Sequence, residues 1–323
     1  MSFLRRRPEV LLIAVTFLWG STFAVTKDVV RAAPPLPYLS LRFSFAALLL
    51  FLLHPQALRP RRALWRDGLI LGTLQAFGLV LQVLGQVYTT ASKAAFVTAL
   101  ATTLTPLVAF LRDGDRPGRP QLLAVGLATL GLYFLTYPVD GATWNRGDLY
   151  TALCALIYSG AIVETARRAP RHPAGDLTAM QTGIAAAFFL LFLGTARLTL
   201  ACLPPEPSFQ IPAILELERR PVAFDLRFVL QLSYMSIVCT VITFLGQTWA
   251  MSRLSATHAA VVFALEPVFA TALAIVLLGP SEWPGTRGAW GALLVLSGVL
   301  VSELPRRPRI ETRAGIQPVS DRD

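Results

Sequence analysis

Apolar runs recur along the chain, and the charged residues are gathered in the short stretches between them. Positions 68–88, 94–111 and 228–251 contain no Asp, Glu, Lys or Arg at all. About 20 apolar residues, each rising 1.5 Å, span a hydrocarbon core roughly 30 Å thick, so each run has the length of a crossing. The whole pattern predicts ten spans, at about 10–26, 37–53, 68–88, 94–111, 121–137, 149–165, 177–197, 228–251, 255–279 and 287–302. Most connections are short. The exception is 200–226, whose prolines and charges keep it out of the membrane, with a short interfacial helix expected over 211–218. Beyond Glu303 the chain is polar and proline-bearing, as in a disordered tail.

The pattern is written twice. LGQVY at 84–88 returns as LGQTW at 245–249, and Pro106 in the next run returns as Pro267. Gly85, Gln86 and Pro106 align with Gly246, Gln247 and Pro267 at one separation of 161. A separation of 139 sets Trp19 against Tyr158 and Arg42 against Gln181. Five spans fall in each half, and five is odd, so the second copy enters the membrane from the opposite side. Inverted repeats of this kind mark transporters that bind a solute between their halves. Duplication without transport is the alternative, and it leaves the inward-facing polar residues unexplained.

Charge then sets orientation. Of the 29 Lys and Arg residues, nineteen lie on the side of the N-terminus and nine on the other, with Arg42 inside a span. Cytoplasmic loops carry the excess of Lys and Arg, which puts both termini in the cytoplasm. The net charge of +10 therefore reflects topology. No soluble domain is left over to bind nucleic acid. At 54% hydrophobic and 15% charged, the chain is far from the roughly 25% charged content of soluble domains. Arg5–Arg7 precede an uncleaved first span rather than a secretory signal. Cys154, Cys202 and Cys239 form no disulfide framework, and His54, His172 and His258 are too scattered for a metal cluster. No cofactor is expected.

Within the spans, polar residues recur at helical spacing. At 100° per residue, Gln75, Gln82 and Gln86 fall within about 40° of one another. Ser236, Thr240, Thr243 and Gln247 form the matching stripe in the eighth span, and Thr98, Thr102 and Thr105 another in the fourth. Hydrocarbon offers such groups no partner, so the stripes face protein or water. They either line a central cavity or hold helices together. Trp19, Tyr88 and Trp249 close the stripes as pathway or interfacial aromatics. Arg42 sits near enough to the outer surface to snorkel, or else binds a substrate carboxylate. Glu266 is the acidic residue at mid-depth, a costly position that a proton on the carboxyl makes cheaper. It can couple transport to a proton gradient, with His258 assisting, or cap the kink at Pro267. Pro106 and Pro267 each interrupt the helix in mid-span.

WGSTFAVTK (19–27), LRFSFAALLL (41–50), TPLVAFL (105–111), LEPVFATALAIVLLG (265–279) and GALLVLSGVLV (291–301) follow one another along the chain. In order and doubling this series resembles the EamA-type transporters of the drug/metabolite transporter superfamily, from about Val10 to Glu303. The resemblance implies an all-α integral membrane protein of ten helices in two inverted five-helix repeats, 1–140 and 141–304, with 305–323 as a cytoplasmic tail. It also implies a bacterial inner-membrane permease, often an exporter of amino acids or other metabolites. One departure is Gly279-Pro280-Ser281-Glu282, where the family commonly closes its ninth helix with Gly-Glu. The 200–226 loop is also longer than the family leads one to expect.

A secondary transporter is therefore the leading reading. Its partners are a small-molecule substrate, the lipid bilayer and, as an open alternative, a second copy in a homodimer. No GxxxxGK[ST] loop is present to use ATP directly. An ion channel would carry a selectivity filter, and none is visible. An intramembrane enzyme and a non-transporting scaffold are the rivals from other classes. The enzyme lacks an obvious dyad, since no Ser or Cys pairs with His258 in the sequence. Uncharged polar stripes with aromatics suit a zwitterionic or amphipathic solute.

Overall fold

The computed structural model describes residues 8–59, 61–113, 119–136, 145–202, 213–254 and 256–302, and the regular structure among them is helical. The first span, α1 (Pro8–Ala32), runs on past its predicted end through Lys27, Asp28 and Arg31. Lys27 and Asp28 are accommodated by partners. Lys27 Nζ donates to the carbonyls of Gln86 and Thr89, both at 2.7 Å. Asp28 accepts from Gln231 at 2.6 Å and pairs with Arg227 at 2.6 Å. Then come α2 (Pro35–Leu53), which starts on a proline where a missing N–H costs nothing, and α3 (Arg62–Tyr88). The fourth span is broken into α4 (Ala91–Thr98) and α5 (Leu100–Asp113), and α6 (Arg119–Thr136) completes the first half.

The second half opens with α7 (Arg146–Arg168), started by a reciprocal capping box between Asn145 and Asp148, followed by α8 (Ala174–Cys202). A short helix, α9 (Ala213–Leu217), occupies the expected interfacial stretch. The eighth span is α10 (Leu226–Ser236), a π-helical turn at Ile237–Ile242, and α11 (Thr243–Met251). The ninth is α12 (Ala256–Phe263) and α13 (Glu266–Leu278), and the last is α14 (Gly285–Ser302). With α9 set aside and each interrupted rod counted once, the described residues form ten rods at the predicted places. Seven of these segments are long and apolar enough to cross a membrane by length and composition.

Of the two expected proline interruptions, the one at Pro267 is present and the one at Pro106 is displaced. Pro267 has no N–H to give the carbonyl of Phe263, and α12 ends at Phe263. Pro106 instead lies well inside α5, and the break in that span comes earlier, at Ala99. There Thr102 bonds back to the Ala99 carbonyl through both its amide (3.1 Å) and its hydroxyl (2.7 Å). At the far end of α13, Gly279 adopts φ 100°, a backbone open to glycine, and turns the chain towards α14.

The rods pack in exchanged pairs. α6 lies along α14 and α2 along α8, while α7 packs on α3 and α5 much as α1 packs on α11 and α13. Phe43, Phe189, Phe228, Met235 and Phe244 form the largest apolar core. Large apolar side chains such as Leu48, Leu52, Leu190, Leu230, Val276 and Trp290 point outward instead. A continuous apolar exterior is unfavourable in water and suits lipid. The ion pairs sit at the two ends. Arg61–Asp176, Arg112–Glu164, and Asp67 with Arg168 and His172 share one end, and Lys93–Asp148 and Asp28–Arg227 the other.

Candidate functional site

Between the two halves lies a cavity whose empty space is about 1030 Å³, open solvent at its mouth included. The wall combines Trp19, Thr22 and Thr26 of α1, Arg42 of α2, and Gln75, Gln82 and Val83 of α3. Thr98 and Thr102 come from the broken fourth span. Tyr158 and Thr165 of α7, Gln181 of α8, Phe244 and Gln247 of α11, Phe263 of α12 and Glu266 of α13 face them. A concave, largely apolar space with a few convergent polar groups is the usual form of a small-molecule site.

Several of these side chains are held by neighbours. Gly20 brings α1 against α13, since a Cβ there would meet Phe269 Cβ at 2.7 Å and Ala270 N at 2.9 Å. Trp19 Nε1 donates to Thr243 Oγ1 at 3.0 Å, and Thr243 donates in turn to the Cys239 carbonyl at 2.8 Å. The Trp19 ring packs on Phe244 and Phe263, with centroids 5.9 and 5.5 Å away. Tyr158 is set against Gly78, where a Cβ would come within 2.4 Å of its ring. Arg42 is 4% exposed. Its Nε donates to Thr240 Oγ1 at 2.9 Å, Nη1 to the Tyr38 hydroxyl at 3.3 Å and Nη2 to the Cys239 carbonyl at 3.4 Å. Three buried partners hold the guanidinium away from the surface, so the snorkelling expected from the sequence does not occur.

Of the residues singled out from the sequence, Trp19, Arg42, Gln82, Thr98, Gln247 and Glu266 line this cavity. Thr243 stands one hydrogen bond behind it, through Trp19. Gln86, Tyr88 and Trp249 are not among its lining residues. Gln86 is buried beyond the cavity's end, where Lys27 covers the last turn of α3, and its Oε1 meets no donor among the described residues. Tyr88 faces Tyr150, with centroids 6.3 Å apart. Trp249 lies under Arg253, whose guanidinium is 3.8 Å from its ring centroid. His258 falls in α12, and its side chain lies outside the described residues.

Glu266 is half-buried on the cavity wall at the first turn of α13. The N-cap of that helix is Leu265, whose apolar side chain offers no cap. Gln75, named in the polar stripe of the third span, also lines the cavity, whereas sequence reasoning passed over Tyr158 and Gln181 as site residues. The signal was present for both, because the 139-residue offset pairs Tyr158 with Trp19 and Gln181 with Arg42.

Three contacts bind the end of the bundle that carries Lys93 and Asp148. Lys27 holds the C-terminal carbonyls of α3, and Glu282 accepts the Ser92 amide at the start of α4 at 3.1 Å. Lys93 pairs with Asp148 at 2.9 Å, joining α4 to α7. Towards the other end the cavity reaches Thr165, within a turn of the end of α7 at Arg168.

Comparison with known proteins agrees with this architecture. The model of the EamA-like transporter family matches residues 6–137 and again 145–304. Two proteins of Archaeoglobus fulgidus, each named an uncharacterized transporter, are similar along nearly the whole chain. One is 28% identical over 91% of this chain and 84% of its own length, the other 24% identical over 90% and 96%. A solved structure titled only as that of a protein superposes with a TM-score of 0.62 at 20% identity, covering 92% of this chain and 96% of its own. The chain is a multi-pass membrane protein belonging to the EamA-like transporter family.

Proposed function

We propose that this transporter moves a small organic solute, of the size and amphipathic character of an amino acid, out of the cell by alternating access. One observation carries the reading: a single cavity takes its wall from both halves, with the aligned residues Trp19 and Tyr158, and Arg42 and Gln181, all on it. The twofold family match and the exchanged helix pairs support two inverted repeats, 1–140 and 141–304. The segregation of ion pairs to two ends supports the alternating path of the chain. With nineteen basic residues on their side, both termini are cytoplasmic.

Glu266 supplies the coupling in this proposal. A carboxyl on the wall of an intramembrane cavity takes up a proton when that cavity faces one side and releases it on the other. The test is flux of exported metabolites from proteoliposomes, with and without an imposed pH gradient, for wild type and Glu266→Gln. Saturable flux accelerated by the gradient in wild type, and unaffected by it in Glu266→Gln, is the expected result. Wild-type flux indifferent to the gradient would remove the coupling role, and absence of saturable flux for every metabolite that accumulates in cells lacking the protein would remove transport itself.

A further inference from the structure

Among the described residues, Arg42 is the only Lys or Arg lining the cavity, and no ion pair among them involves it. Glu266 lines the same cavity without pairing with it. A buried charge lacking a counter-charge is expensive, all the more so in a membrane. The fold does not itself require the charge, because the aligned place in the other half is filled by neutral Gln181, also buried and also on the wall.

The partners of Arg42 leave it part-satisfied. A guanidinium carries five N–H groups, and three are used, by Thr240, Tyr38 and the Cys239 carbonyl. One N–H remains on each terminal nitrogen. The π turn at Ile237–Ile242 builds this arrangement. Thr240 Oγ1 donates to the carbonyl of Met235, five residues back, at 2.8 Å and accepts from Arg42 Nε. Cys239 offers its carbonyl to both Thr243 and Arg42. Turns of this kind recur at functional sites because they present backbone groups that an α-helix keeps to itself. Every hydrogen-bond anchor is neutral, and the Phe43 ring centroid lies 5.4 Å from the guanidinium carbon, so the guanidinium is fixed in place without a counter-charge.

We propose that Arg42 binds the carboxylate of the transported solute, with Trp19, Tyr158, Phe244 and Phe263 receiving its apolar part. This rests on the transport reading above. Two N–H groups on adjacent nitrogens suit a planar carboxylate, which a guanidinium grips side by side. A dianionic phosphate would leave charge unmatched on a wall with one cation.

The purified full-length protein tests this by melting-temperature titration with L-phenylalanine, L-leucine and their α-carboxamides. At least one acid is expected to bind about ten- to a hundredfold more tightly than its amide, the range for hydrogen bonds to a charged group. Arg42→Gln should bring that ratio close to one, and Arg42→Lys should leave it intermediate. If Arg42→Gln fails to fold, the acid-to-amide ratio in wild type decides alone. Amides binding as well as acids, no acid binding, or an unchanged ratio in folded Arg42→Gln would each overturn the assignment. Counterflow in proteoliposomes separates the two readings. An acid that binds through Arg42 but never moves refutes transport and keeps the site, whereas saturable movement of acid and amide alike refutes the site and keeps transport.

Discussion

The third and eighth spans carry the same Gly-Gln pair, yet only one of them is a plain α-helix. α3 runs unbroken from Arg62 to Tyr88, while its mate is opened by a π turn before Gly246-Gln247. The glycines kept their task through this difference. Gly85 brings α3 against Thr151 and Gly147 of α7, and Gly246 brings α11 against Val15 of α1. The glutamines did not: Gln247 lines the cavity, and Gln86 is buried outside it. Close approach of a neighbouring helix depends on a missing side chain, which both copies keep. Where a side chain points depends on helical phase and on what covers the helix end, and both diverged here.

Removing the π turn should break the comparison most severely. Deleting Val238 returns the eighth span to α-helical register and takes the Thr240 and Cys239 anchors from Arg42. Transport is expected to fall by about tenfold or more, the worth of one hydrogen bond to a charged group, with the purified protein still monodisperse. Unchanged flux in that deletion would make the turn ornamental. Next come the glycines. In Gly85→Ala the new methyl would lie 2.3 Å from Thr151 Oγ1, whereas in Gly246→Ala its nearest neighbour is Val15 Cγ2 at 3.0 Å. Overpacking should cost the first about 1–3 kcal/mol and the second clearly less, read as the difference between their melting temperatures. Equal shifts would mean that the two interfaces are equally tight.

The glutamines give a smaller separation. Gln247→Leu should lower flux about severalfold by removing a polar group from the wall, since one neutral hydrogen bond is worth roughly 0.5–1.5 kcal/mol. Gln86→Leu should leave flux near wild type, because it replaces an amide whose Oε1 already lacks a donor. Loss of flux in both would restore the equivalence that their sequence suggests. The smallest effect is expected where the chain enters α10. Burial raises the Glu218 carboxyl above the ordinary carboxylate range, against the hydrogen bond it accepts from the Leu36 amide. The stability this group contributes is therefore present in acid and lost as pH rises through its raised value. Glu218→Gln should flatten that part of the melting-temperature profile, and an unaltered profile would assign it to other groups.

Much of this architecture was legible in the sequence. Apolar runs carry their span length openly, and the 139-residue offset aligned Trp19 with Tyr158 and Arg42 with Gln181, which the structure then brings onto one wall. What stayed hidden has physical causes. A π turn has no composition of its own; IVCTVI reads as an ordinary apolar stretch, and the gapless 161-residue alignment gives no hint of a bulge. Lys27 looked like the end of a span because a charge in a membrane normally is one, and the carbonyls that receive it come from α3. Pro106 marked the correct span but not the break, which Ala99 and Thr102 determine. Arg42 looked like a snorkelling residue because its depth could be counted and its three partners could not.

In the alternating-access reading proposed above, unequal copies also affect how long the protein dwells in each state. Two identical halves exchanged by a two-fold axis would give inward- and outward-facing forms of equal energy, each populated half of the time. Arg42 with its π turn on one side and Gln181 on the other remove that degeneracy. A difference of about 1.4 kcal/mol between their contacts suffices for a resting ratio of ten to one. In the proposal made for Arg42, a solute that neutralises it alters the same balance, so the group that recognises the cargo also sets the occupancy of the empty carrier.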